Sequence, residues 1–140
     1  MSGLTRFYDR VRGLDGPVSG ALQCFNFVFD TAPGNNDVLS KQVQLPTGMT
    51  FEITDVSSFM GAVTDDAKLT VGSTAAGGEV VASVTAVAGA VQHTIVEGTI
   101  GAAGLIDVTI TCDAGDAIAL PVSVCVTGYI SAPPTSVTTR

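Results

Sequence analysis

Residues Leu69–Val84 read LTVGSTAAGGEVVASV, and the meaning of the central GSTAAGGE decides the fold. A phosphate-cradling loop must open a helix, because helix N-terminal amides hold the anion, and the Walker form adds a Gly-Lys-Ser/Thr ending. Here no lysine follows the glycines, the G-x-G-x-x-G spacing is absent, and Val80–Val84 is rich in β-branched residues. Before Gly72, Leu69 and Val71 alternate with polar or small neighbours. Strand, turn, strand is the reading that satisfies both flanks.

The same period of two extends in both directions. In QCFNFVF, Phe25, Phe27 and Phe29 share one face, with Cys24, Asn26 and Val28 on the other. VLSKQVQL and MTFEITDVS follow, the second with Met49, Phe51 and Ile53 inward and Glu52 and Thr54 outward. Phe59, Met60 and Val63 read as a looser connection ending at Asp65 and Asp66. Beyond the hairpin come VQHTIVEG and GLIDVTIT, the latter placing Ile106, Val108 and Ile110 against Asp107, Thr109 and Thr111. VSVCVTGYI then turns Val122, Val124, Val126 and Ile130 inward. About eight short strands without a long helix predict an all-β chain, an antiparallel β-sandwich of jelly-roll type.

The two ends break the pattern. Residues 1–20 are punctuated by Gly3, Gly13, Gly16, Pro17 and Gly20 and read as an extended N-terminal arm. Residues 21–130 form the sandwich domain, and 131–140, SAPPTSVTTR, an irregular C-terminal tail.

Of 140 residues, only 14% are charged, well below the usual quarter, while 46% are hydrophobic. So few charges suit a surface covered in a permanent assembly better than a free monomer. Arg6, Arg10 and Arg12 face only Asp9 in the first twelve residues, so that segment is +2 and the remainder −9 of the total −7. An acidic body repels phosphates, which argues against nucleic acid as a partner, whereas the basic segment suits an acidic protein surface. No apolar stretch approaches the length of a membrane span and the N-terminus lacks a secretory core, so the expectation is a soluble protein made in the cytoplasm. Cys24, Cys112 and Cys125 form an odd set without a C-x-x-C pair, which indicates neither a disulfide framework nor a zinc site.

Site chemistry is sparse. His93 is the one histidine, it reads as a half-exposed strand residue, and no G-x-S-x-G elbow accompanies it. Asp65-Asp66 and Asp113-Ala-Gly-Asp116 lack the ligand spacing of a calcium loop and read as turn aspartates bonding local amides. Glu52, Glu79 and Glu97 fall on separate strands or turns, and a chain with 6% aromatics and no tryptophan offers a poor sugar-stacking platform. The sequence therefore predicts no catalytic residue, no metal and no cofactor.

The runs LTVGSTAAGGEVVASVTAV and EGTIGAAGLIDVTITCDAGDAIALPVSVCVTGYIS resemble small β-rich structural proteins of tailed bacteriophages, over roughly the C-terminal half. The residues that carry the resemblance are Val71 to Ser73, Gly77 to Glu79, Ala102 to Leu105, and Gly128 to Ile130. It implies a non-enzymatic virion component, a capsid decoration or cement protein made in the host cytoplasm and placed on the capsid surface. Such proteins form homotrimers that clamp neighbouring subunits of the major capsid protein. The arm would then supply the contacts, with Arg6, Arg10 and Arg12 as charged groups and Phe7 and Tyr8 as apolar anchors. Tail, baseplate and fibre subunits share this composition, and there a jelly roll holds a receptor or carbohydrate.

Overall fold

The computed structural model describes residues 21–101 and 104–131. The arm of residues 1–20, with Arg6, Phe7, Tyr8, Arg10 and Arg12, lies outside them, as do Ala102, Ala103 and the tail beyond Ser131.

The described chain is all strand and turn, in the order β1 Ala21–Phe29, β2 Val38–Gln44, β3 Thr50–Met60, β4 Val63–Thr64, β5 Lys68–Gly72, β6 Val81–Thr85, β7 Gly89–His93, β8 Thr99–Ile100, β9 Leu105–Thr111, β10 Ala117–Ile118 and β11 Val122–Ser131. Eight of these run five residues or longer, and β4, β8 and β10 are two-residue bridges. One sheet has the order β1-β11-β3-β7 with β8 beside β3, another has β2-β9-β5-β6, and β4 pairs with β10. All pairings are antiparallel.

Counting only the eight longer strands, the first pairs with the eighth, the second with the seventh, the third with the sixth and the fourth with the fifth. That is a long hairpin rolled up on itself, the strand pairing of a jelly roll. The opening stretch occupies its tip, since β5 and β6 are the innermost pair, with Val71 opposite Val81.

A single apolar cluster joins the sheets. Phe29, Phe51, Val56, Met60 and Val124 come from one and Leu69, Val71, Ile106, Val108 and Ile110 from the other. Phe27 and Phe29 are buried as the alternation requires, and Phe25 meets the Phe51 ring edge-on at 5.2 Å.

Two inward-outward assignments change. The strand expected over MTFEITDVS continues to Met60, and within it β3 and β11 shift register at Thr127/Gly128, which leaves Thr54 as an extra residue. Phe51 and Ile53 face the core before the bulge, and Val56, Ser58 and Met60 after it. The phase inversion is what makes Phe59–Met60 read as loose connection. An added Cβ at Gly128 would collide with the Glu52 carbonyl, so the bulge requires glycine there. In β9, Asp107 and Thr109 are buried together with Ile106, Val108 and Ile110, although alternation places them in solvent.

The cysteine reading is corrected. Cys24 of β1 and Cys125 of β11 are joined by a disulfide, with Cα atoms 6.4 Å apart and a sequence separation of 101. Cys24 pairs with Thr127 and Cys125 with Asn26, so the bridge is a diagonal on the sheet's outer face. The first and last strands become neighbours only through the rolled topology, which spacing alone does not reveal. Cys112 is free and buried, where burial pushes its thiol pKa up.

Candidate functional site

The glycine-rich turn holds the chain's own carboxylates. Glu79 accepts the Ser73 amide at 2.9 Å and the Thr74 hydroxyl at 2.7 Å. The Thr74 hydroxyl, followed by backbone amides, holds the Glu79 pKa below the usual carboxylate range. Asp107, fully buried beneath the loop, accepts from the Ala76 amide at 3.2 Å, Thr109 Oγ1 at 2.6 Å and Gln42 Nε2 at 2.7 Å. The single Thr109 proton goes to Asp107, so Ser40 Oγ, 2.9 Å from Thr109 Oγ1, is the donor in that pair. Loop amides that would face a phosphate in a nucleotide site are directed at these side chains instead.

His93 has a partner that the sequence reading did not supply. Its Nε2 lies 2.8 Å from Ser58 Oγ, in the diagonal between β7 and β3. Burial lowers the His93 pKa, which favours the neutral ring. Ser58 is only 4% exposed, on the core face of β3, where a substrate carbonyl has no approach. Among the described residues, the hydrogen bonds place no carboxylate on the other ring nitrogen. The pair has the contact of a nucleophile and base without the access that acyl transfer needs.

Of the expected turn aspartates, Asp116 accepts backbone amides and Asp66 accepts from side chains. Asp116 takes the Asp113 amide at 2.7 Å and the Asp66 amide at 3.0 Å, tying two turns together. Asp66 also bonds Lys68 at 2.8 Å, which lowers its pKa. Among the described residues, no group of three His, Cys, Asp or Glu side chains could hold a metal. Among the described residues, no helix is long and apolar enough to cross a membrane.

Among the described residues, an open concavity lies between the edge strands β1 and β2. A groove of about 430 Å³ is walled by Phe25, Asn26 and Phe27 on one side and Lys41, Gln42 and Val43 on the other. It continues past Lys41 into a second hollow of about 250 Å³ beside Phe29 and Leu39. The opposite side of the sandwich is closed differently, where the segment after β7 bonds back through the Val96 amide to the Val80 carbonyl at 2.7 Å. Sequence reasoning missed the groove because it depends on which strands become edges.

Comparison with protein-family models, with curated proteins and with solved structures finds no match to this chain.

Proposed function

We propose that the chain is a non-enzymatic virion structural protein: a capsid decoration, or cement, protein that sits on the outer capsid surface as a homotrimer and clamps neighbouring major capsid subunits. The observation that carries this reading is a jelly-roll sandwich whose described surface is poor in charge and exposes large apolar side chains, among them Leu22, Val28, Phe59 and Tyr129. Such a surface favours burial against other subunits, and many modest contacts made at once resist an outward push on a shell. The sequence resemblance to phage β-rich proteins points the same way. Residues 2–20, with Arg6, Arg10 and Arg12, would reach an adjacent subunit. A buried Ser58 and glycine-loop amides already engaged by Glu79 and Asp107 give catalysis no competing support.

The test is binding of the purified chain to expanded shells that lack it, followed by cryo-EM. Density at three-fold or quasi-three-fold positions, and binding weakened by about tenfold or more on deleting residues 2–20, is the expected result. Unchanged binding by the truncated chain removes the arm from the mechanism. A second reading, a tail or fibre subunit holding a carbohydrate, is favoured by the groove that sets Phe25, Asn26, Lys41 and Gln42 side by side. Density confined to a tail tip would select it.

A further inference from the structure

The two sheets present unlike outer faces. On the β2-β9-β5-β6 sheet, the glycine-rich loop and the chain from Ser40 through Thr109 to Asp107 fill the outside with satisfied polar groups. On the β1-β11-β3-β7 sheet no loop folds back over the described outer face, whose polar contacts include Thr99 Oγ1 to Glu52 and Thr54 Oγ1 to the Thr127 carbonyl. Val28 of β1 and Phe59 of β3 flank Ser123 in one cross-strand row, each 48% exposed. Six residues along β1, Leu22 lies opposite Tyr129, 58% and 44% exposed. Four of the eight large exposed apolar side chains therefore lie on this face, in two clusters about 20 Å apart at strand rise.

Between the clusters run the uncharged residues Asn26, Cys125, Ser57 and Gln92, which share one row. The paired outward positions include two carboxylates, Glu52 and Asp55, and no lysine or arginine. The Cys24–Cys125 disulfide lies at the centre and fixes the edge strand to its neighbour, so the surface is rigid before anything meets it.

We infer that this face packs against a second copy of the chain, the Val28/Phe59 end of one on the Leu22/Tyr129 end of the other. Charge decides the occupant. A chain of net charge −7 resists meeting itself least across a surface with few charges, and this face carries two, Glu52 and Asp55, both at its Leu22/Tyr129 end. A heterologous partner drawn to the acidic body would be steered by opposite charge, for which this face offers little. Area agrees: four strands about 4.8 Å apart and seven residues long span roughly 20 by 23 Å. With side-chain relief, that approaches the ~800 Å² per partner of a standard interface. The inference does not depend on the capsid reading, since it concerns the purified chain alone.

Sedimentation velocity on the full chain tests it. The wild type should sediment as a multimer, and Val28→Glu with Phe59→Glu should weaken association by about tenfold or more while retaining the wild-type thermal melt. Val87→Glu, exposed on the β6–β7 turn, should leave the multimer intact. A monomeric wild type, or a Val28/Phe59 variant that stays multimeric, overturns the inference. Should that variant melt early, Tyr129→Glu probes the other end with the same two outcomes. An independent readout needs no variant: reductant should open the Cys24–Cys125 bridge more slowly as protein concentration rises, and a concentration-independent rate counts against a covered face.

Discussion

At the scale of single residues, Asp107 carries the most consequence per atom. A carboxylate is acceptor-only, and its surroundings are donors only: the Ala76 amide, Thr109 Oγ1 and Gln42 Nε2. Asp107→Asn keeps the volume but points an amide N–H₂ at one of those donors. Losing a charge-assisted bond in a buried site costs about 1.5–3 kcal/mol, and a stranded donor adds to it. The expected outcome is destabilisation of about 2–3 kcal/mol in urea denaturation. Glu79→Gln, whose site is partly open to water, should cost less than about 1.5 kcal/mol. If Asp107→Asn unfolds at the wild-type midpoint, the loop is not held from below as described. Local sequence gave no warning of this residue, because an aspartate at an outward position of an alternating strand reads as solvated. Only the fold-back of GSTAAGGE over β9 buries it.

At the scale of elements, strands that alternate cleanly were legible and those that break phase were not. Phe25, Phe27 and Phe29 announced β1, and the hairpin at Leu69–Val84 followed from its β-branched flanks. The Thr54 bulge inverts β3 midway, so period two carried on from Phe51 and Ile53 puts the wrong faces on the residues beyond it, and Phe59 and Met60 read as connection. Edge strand β1 is hydrogen-bonded to β11 on one side only, and the disulfide is its second attachment. Closing a loop of about a hundred residues restricts the unfolded chain by up to about 4–5 kcal/mol in the chain-entropy view, with 2–4 kcal/mol typical of measured bridges. Replacing Cys24 and Cys125 together with Ser should therefore lower stability by about 2–4 kcal/mol, and adding reductant to the wild type should do the same. Alkylation under denaturing, non-reducing conditions should modify one cysteine of the three, Cys112. Three alkylated thiols would refute the bridge.

At the scale of the whole molecule, the sequence specified a class and the topology specified the surfaces. Period-two runs fixed an antiparallel sandwich, but which strands become edges, and hence the β1/β2 groove, the disulfide and the Ser58–His93 contact, depends on pairings across up to a hundred residues. That long-range contact also gives the molecule its expected pH response. The His93 pKa is lowered by burial, so between the unfolded value of 6.5 and its folded value the unfolded chain binds more protons than the native one. Stability then rises with pH through that window, is fully present above 6.5, and is lost as pH falls through the folded His93 pKa. Glu79 and Asp66, also lowered, act in the same direction but only below their unfolded values of 4.5 and 3.8. His93→Gln should accordingly flatten the stability profile between about 6.5 and 4.5 while leaving the steeper acid limb in place. Urea midpoints at closely spaced pH values read this directly. A wild-type profile already flat over that interval would mean that His93 is solvated rather than held neutral against Ser58.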